Sequence, residues 1–177
     1  MDNGSVYTKS ILNFLKEAAI DFRQAFFDKV TGLDFENYSS FILSGRRQNN
    51  SAMNAINSRL IKYAFAKRKP LLGICYGAEI LALTLGGTIK RMAAPRQGIE
   101  EIDVIQDNPL CSEKIRVFES HSYKVERLDS SFKQIAKSSI CEFEIFQHDN
   151  QNIFGTQFHP EMSRDGQVLL KNFSLIK

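Results

Sequence analysis

Cysteine is scarce in this sequence: Cys75, Cys111 and Cys141 are the three that its 177 residues contain. An odd, widely spaced set argues against a disulfide framework and fits a reducing cytosol. Long apolar runs are missing too. Residues 71–74 and 80–85 are strongly apolar but far shorter than the ~20 residues a membrane-spanning helix needs. The chain opens without the basic-then-apolar pattern of a secretory signal. These absences together place the protein in the cytoplasm, with no membrane partner. Charge of one sign is also in short supply. The formal net charge is +3, too small to imply nucleic acid by itself. Arg46-Arg47, Lys67-Arg68-Lys69 and Lys90-Arg91 are short clusters without interleaved aromatics, so they read as solvated surface, and no nucleic-acid partner is expected. No cluster of His and Cys has metal-ligand spacing, and no Gly-x-x-x-x-Gly-Lys-Ser/Thr phosphate loop occurs.

What is present is enough apolar residue for a real core, 43% of the chain, at a length that fits one domain. Residues 8–19 read as a helix, with Ile11, Leu12, Leu15, Ala18 and Ala19 on one face. Residues 38–43 read as a buried strand ending at Ser44-Gly45. Residues 51–67 are helical, with Met53, Ile56, Leu60, Ile61 and Ala64 in a stripe. The cations 67–69 fall at that helix's C-terminal end, where the dipole favours them, and Pro70 stops it. Leu71–Ile74 then reads as a strand, and residues 76–85 as a helix closed by Gly86-Gly87. Alternating strands and helices imply a parallel sheet with helices on its faces. The second half reads differently, as strands at 99–105, 115–119, 123–128, 141–147 and 153–158 joined by short turns, followed by a helix at 167–173. Within 141–147, Cys141, Phe143 and Ile145 alternate with Glu142 and Glu144. The fold expected is therefore α/β: an open, mostly parallel central sheet with helices on both faces, plus a smaller antiparallel β portion. One feature departs from that plan. Met1-Asp2-Asn3-Gly4 leads almost directly into the first helix, where a doubly wound sheet would have a strand, so the first strand reads as missing or truncated.

The chemistry concentrates at Gly73-Ile74-Cys75-Tyr76-Gly77. A strand enters, a helix leaves, and glycines flank the turn, which is the pattern of a nucleophile elbow. The glycines remove Cβ atoms that would clash where strand and helix pack across a tight turn. At the apex, Cys75 is expected to project into solvent at a helix N-terminus, a position that lowers a thiol's pKa. The Tyr76 N–H is placed to hold a tetrahedral oxyanion. Of the three histidines, His159 is the best base. It follows an apolar strand, with Pro160 and Glu161 next, so that the imidazole can take the thiol proton and the carboxylate can fix its tautomer. His148 lies in a polar stretch and reads as exposed. His121, between Ser120 and Ser122, is a weaker base candidate and a possible pocket residue. The order Cys75, His159, Glu161 differs from the nucleophile–acid–histidine order of α/β-hydrolases.

With these residues in place, the sequence resembles the class I, triad-type glutamine amidotransferases over essentially its whole length, and most closely the glutaminase subunits of GMP synthases. Asp2-Asn3-Gly4-Ser5 with Tyr7-Thr8 resembles the family's opening after its first strand. Ser44-Gly45 resembles its oxyanion loop, Gly73–Gly77 its nucleophile motif, Glu119-Ser120-His121-Ser122 its substrate-contacting segment, and residues 155–161 its Gly-x-Gln-Phe-His-Pro-Glu signature. The resemblance implies a flavodoxin-like domain that hydrolyses the side-chain amide of glutamine. In that reading Cys75 attacks, His159 moves the protons, Glu161 orients His159, and N–H groups at Tyr76 and at Gly45-Arg46 hold the oxyanion. Glu79, Ser120, His121 and Ser122 would contact substrate. It further implies that no metal or organic cofactor is needed, and that the ammonia passes to a separate ATP-dependent synthetase subunit, with the ATP-pyrophosphatase subunit of GMP synthase favoured. Anthranilate and aminodeoxychorismate synthases use similar subunits.

Three positions depart from the family pattern. Arg46 stands where a second glycine is usual, and a left-handed backbone there would be strained. Glu79 stands where glutamine is usual, and its carboxylate would repel a substrate α-carboxylate or attract its ammonium group. The His-Thr pair usual after the glutamate is replaced within Met162-Ser163-Arg164-Asp165-Gly166. Two other readings stay open on these departures: a free-standing γ-glutamyl hydrolase, and a non-catalytic relative that kept the fold.

Overall fold

The computed structural model describes residues 1–30 and 32–177, with residues 32–34 described in their backbone only. The chain builds one seven-stranded sheet in the order β1-β2-β7-β6-β5-β3-β4. In chain order the strands are β1 (Phe41–Leu43), β2 (Leu71–Ile74), β3 (Thr88–Val104), β4 (Lys114–Arg127), β5 (Phe132–Lys137), β6 (Ile145–His148) and β7 (Ile153–Thr156). The helices are α1 (Thr8–Glu17), α2 (Ser51–Ala66), α3 (Tyr76–Thr84) and α4 (Arg164–Ser174), with short 3-10 turns at Phe27–Lys29, Gly32–Asn37 and Pro160–Met162. β1, β2 and β7 pair in parallel, whereas β7–β6, β6–β5, β5–β3 and β3–β4 pair antiparallel.

The parallel strands are buried on both faces, so they read as continuous apolar runs rather than alternating ones. In β2 the period-2 geometry still sorts the side chains. Leu72 and Ile74 join Ile11 and Leu15 of α1 and Leu169, Leu170 and Phe173 of α4 in one core. Leu71 joins Met53, Leu60 and Ile61 of α2 and Ala78 and Leu81 of α3 in the other. Helices therefore cover both faces of the parallel part, as the strand–helix alternation predicts. Caps fix two helix starts: Asn50 accepts the Met53 N–H at 3.0 Å, and Ser163 accepts the Gly166 N–H at 3.2 Å. Each satisfies an otherwise unpaired N–H of the first turn.

The second half differs from the sequence expectation in detail. The separate strands expected at 115–119 and 123–128 are one continuous β4, and the strand expected at 99–105 is the end of a longer β3 that begins at Thr88. The break expected at Ser120-His121-Ser122 has no turn in it, because Ser120 and His121 pair directly across to Gln97 and Arg96 of β3. β5 went unread, since Phe132–Lys137 carries two lysines and a glutamine and its inner face is short. The alternation expected over 141–147 does not hold either. The strand begins only at Ile145, and Glu144, expected on an outer face, is buried. His148, expected exposed, is buried with its ring edge-on to Phe65 and Phe132, at 5.2 Å between centroids in both pairs.

Candidate active site

The ends of β2 and β7 lie side by side, with Ile74 opposite Thr156. Ligand sites in open α/β sheets form beyond the carboxyl ends of parallel strands. Cys75 is the first residue past β2, and its N–H donates to the Thr156 carbonyl at 2.7 Å. Its backbone sits at φ 51° and ψ −106°, a conformation a β-branched or bulky residue rarely takes. The flanking glycines are steric necessities. A Cβ on Gly73 would lie 2.4 Å from the Gly77 carbonyl oxygen, and one on Gly77 would lie 2.4 Å from the Leu43 carbonyl oxygen. The strand, the turn and the start of α3 are pressed together main chain to main chain, and that contact holds Cys75 in its strained pose.

His159 follows β7 by a few residues. Its N–H donates to the Phe118 carbonyl of β4 at 2.8 Å. Two residues along the same strand, the Ser120 carbonyl receives the Cys75 thiol at 3.9 Å. β4 thus spans both groups. Tyr7 closes the same space, with its ring edge-on to His159 at 4.5 Å and its hydroxyl 3.2 Å from the Ser120 hydroxyl. Glu161, in the turn Pro160–Met162, brings Oε1 to 2.9 Å from His159 Nδ1, and both side chains are buried. A carboxylate at Nδ1 fixes the N–H there and leaves Nε2 as the proton acceptor.

His121 is held differently. Its Nδ1 lies 2.7 Å from the Tyr123 carbonyl and its Nε2 lies 2.7 Å from Glu119 Oε2, in a buried position. Both ring nitrogens face oxygens. Both candidate bases thus have a carboxylate on one ring nitrogen, on Nδ1 in His159 and on Nε2 in His121. Ser120 stands at the Cys75 thiol, while Ser122 is exposed on β4.

The oxyanion loop follows β1. A Cβ on Gly45 would come 2.9 Å from His159 Cε1, so the glycine is what lets the imidazole approach this loop. The strain expected at Arg46 is absent: the non-glycine residues with positive φ, among those described, are Ala19, Arg68, Cys75 and Glu113. Arg46 instead bridges through its main chain to Asn3 and Gly4. The Asn3 N–H donates to the Ser44 hydroxyl and the Asn3 amide to the Ser44 carbonyl, each at 2.9 Å. The Asn57 amide then donates to Asn3 Oδ1 at 2.8 Å, which ties the loop to α2.

Arg46 is not solvated surface. Its guanidinium lies over the Tyr76 ring, 4.2 Å from the centroid, and 3.9 Å from the buried Glu79 carboxylate. These residues line a cavity of about 280 Å³ with Asn54, Ile80 and Tyr123. Burial raises the Glu79 pKa, an effect opposed by Arg46 and His121.

The thiol departs from expectation in two ways. Cys75 is buried rather than solvent-exposed, at 7%. Its pKa is pushed well up, first by burial and next by the negative charge of Glu79, against the stabilising Tyr76 N–H. Glu161 and Glu119 add smaller repulsions. Desolvation outweighs the helix terminus here, which favours the neutral thiol. Sequence reading reached Tyr7 and Thr156 only as members of motif segments and gave neither a role: the Tyr7 ring packs on His159, and the Thr156 carbonyl receives the Cys75 N–H.

Comparisons with known proteins place the chain in a family. The chain matches the family described as Glutamine amidotransferase class-I over residues 1–176. It is 30% identical to a glutamine-hydrolysing GMP synthase subunit of Pyrococcus furiosus, over 99% of this chain and 96% of that one. It is 31% identical to the protein of the same description from Methanocaldococcus jannaschii, over 98% and 93%. Among solved structures, a candidate GMP synthase subunit from Thermoplasma acidophilum superposes with a TM-score of 0.88 at 27% identity, covering 98% of this chain and 89% of that one. A buried thiol on a strained turn, a carboxylate-oriented histidine and a glycine-lined loop stand within a family match that leaves almost no residue out, and the chain belongs to the class I glutamine amidotransferases.

Proposed function

We propose that this chain hydrolyses the side-chain amide of glutamine through Cys75, His159 and Glu161. The ammonia passes to a separate ATP-dependent synthetase subunit, for which the ATP-pyrophosphatase subunit of GMP synthase is the favoured partner. The observation that carries the reading is the convergence of Cys75 and His159 at the ends of two adjacent strands, with Glu161 on His159 Nδ1. The archaeal relatives are described as subunits, not whole synthases, which supports a partner chain.

In this mechanism His159 Nε2 takes the thiol proton as sulfur attacks the amide carbon. The developing oxyanion is held by the Tyr76 N–H and by the main chain at Gly45-Arg46. The imidazolium then donates its proton to the amide nitrogen, the C–N bond breaks, and ammonia leaves a thioester on Cys75. His159 next deprotonates water, whose attack releases glutamate and restores the thiol. Because the buried thiol resists ionisation, proton removal is coupled to attack rather than preceding it. Substrate orientation falls to Glu79 and Arg46: the anion faces the α-ammonium and the cation faces the α-carboxylate. His121, fixed between two oxygens, shapes the wall beside Ser120.

Glutamate release from glutamine, measured in reducing buffer with and without the synthetase partner, tests the proposal. Activity is expected in at least one condition and is lost in Cys75→Ala, whose melting temperature stays near the parent's. Absence of glutamate in both conditions overturns it. The Arg46–Glu79 pair also favours a second reading, cleavage of other γ-glutamyl compounds. Faster turnover of such a compound than of glutamine, without a partner, would establish that reading instead.

A further inference from the structure

Arg46 stands where the family pattern has a second glycine, yet its side chain is engaged on three sides. Its Nη1 donates to Asn49 Oδ1 at 2.6 Å, its Nη2 lies 3.9 Å from Glu79 Oε2, and its flat face covers the Tyr76 ring. The contacts run on beyond Arg46. Asn49 Oδ1 also accepts the Asn54 amide at 3.2 Å, and Asn54 Oδ1 accepts the Tyr76 hydroxyl at 2.7 Å. Because Tyr76 lies under Arg46, the contacts close into a ring: Arg46, Asn49, Asn54, Tyr76 and back to Arg46.

This ring joins three segments of the chain. Arg46 and Asn49 belong to the loop after β1, Asn54 to the first turns of α2, and Tyr76 opens α3. The Asn50 cap stands between Asn49 and Asn54 and fixes the start of α2, which sets the spacing of those two side chains. A guanidinium can lie flat on an aromatic ring and still donate in its own plane, so Arg46 serves Tyr76 and Asn49 together. Burial pushes the Tyr76 pKa up to about 12, against the pull of the Arg46 charge, and the hydroxyl remains a donor throughout the neutral range.

The two arms of the proposed oxyanion hole lie at either end of the Arg46–Tyr76 contact. One is the Tyr76 N–H and the other is the main chain at Gly45-Arg46. Such donors act only when their separation is set in advance, since a misplacement of about 1 Å can cost on the order of a hundredfold in rate. Asn3 ties the Ser44 end of the loop to α2 through Asn57. The ring ties the Arg46 end to α3, the helix that follows the nucleophile. We infer that Asn54 is a positioning residue: by bridging Asn49 to Tyr76 it closes a side-chain ring that holds the two arms at a fixed separation. The inference rests on the glutaminase reading and adds to it a residue outside the motifs.

The test compares Asn54→Ala, Tyr76→Phe and the double variant in the full chain, under the condition in which the parent releases glutamate. Tyr76→Phe keeps the main-chain N–H and the aromatic face and removes the hydroxyl. Each single variant is expected to lower kcat about tenfold, with KM for glutamine within about twofold and a melting temperature near the parent's. Either change opens the same ring, so the double variant should lose no more than the larger single loss. Hydrogen exchange at the Gly45 and Arg46 amides should quicken about threefold or more in both, a readout that needs no turnover. Parental kcat in Asn54→Ala, a loss carried by KM alone, or losses that multiply in the double variant would each overturn the inference. So would unchanged exchange at the loop. A parent that releases no glutamate overturns the glutaminase reading instead, and the exchange rates then still decide whether the ring holds the loop.

Discussion

The turn after β2 and the edge beside β1 lie in the same sheet, one strand apart, and they are built to opposite standards. At the turn, main chain meets main chain so closely that neither Gly73 nor Gly77 has room for a methyl group. At the edge, a cavity of about 250 Å³ separates helices from a half-paired strand. The first region holds one strained residue, Cys75, the proposed nucleophile. The second holds one enclosed charge, the Met1 ammonium, on the Ile42 carbonyl. Strain at a functional site persists only when its surroundings over-determine it, and the tight turn supplies that constraint. The loose edge sacrifices stability without shifting the nucleophile.

The contrast breaks most sharply at Gly77. A methyl group there meets the Leu43 carbonyl oxygen, a backbone atom that cannot rotate aside. Gly77→Ala is expected to cost about 3 kcal/mol or more, in the range of severe overpacking, and to separate the oxyanion loop from the nucleophile. Denaturant unfolding reads the loss. A variant that keeps parental stability would mean that the turn has slack the structure does not show.

A smaller effect tests the electrostatics of the tight region. Glu79 is the largest charged contributor to the raised Cys75 pKa. Glu79→Gln removes that repulsion and keeps the shape, so the thiol ionises at lower pH. The rate of iodoacetamide labelling, followed against pH, should have its midpoint moved down in the variant. A midpoint that stays or rises would show that Arg46 already neutralises Glu79 as seen from the thiol. Since Glu79 is also proposed to face the substrate's ammonium group, the same variant should raise KM for glutamine.

Much of the site was legible because it is written in local patterns. Gly73, Cys75 and Gly77 announce a tight strand-to-helix turn, and His159-Pro160-Glu161 places a carboxylate two residues from a histidine, which the structure joins at 2.9 Å. The apolar stripes of α1 and α2 mark both helices to within about two residues. What was illegible depends on distant partners. Solvent exposure of Cys75 followed from the elbow alone, but Ser120 from β4 covers it. Glu144 alternates like a surface residue, yet the strand starts one residue later and the carboxylate turns inward. Arg46 read as part of a basic cluster until Tyr76 and Glu79 were seen beneath it.

The smallest expected effect belongs to the loose edge and carries its own pH signature. In the unfolded chain the Met1 amine holds its proton up to about its ordinary value of 8.0, whereas in the folded chain it does so only to about 6. Between those values unfolding takes up a proton, so stability rises with pH across that window. Below pH 6 both states are charged and the folded state bears the full cost of the enclosed ammonium; above pH 8 neither is charged and that cost is gone. The gain across the window is on the order of 1–2 kcal/mol, because Met1 as a whole is only partly buried. Urea midpoints measured at about pH 5.5 and about pH 8.5, on either side of that window, should show it in the unextended chain. A short Gly-Ser extension, which turns the amine into a peptide nitrogen, should remove that slope. A slope that survives extension would assign the pH dependence to the buried carboxylates around Cys75 instead, and would leave the edge with a cavity but no misplaced charge.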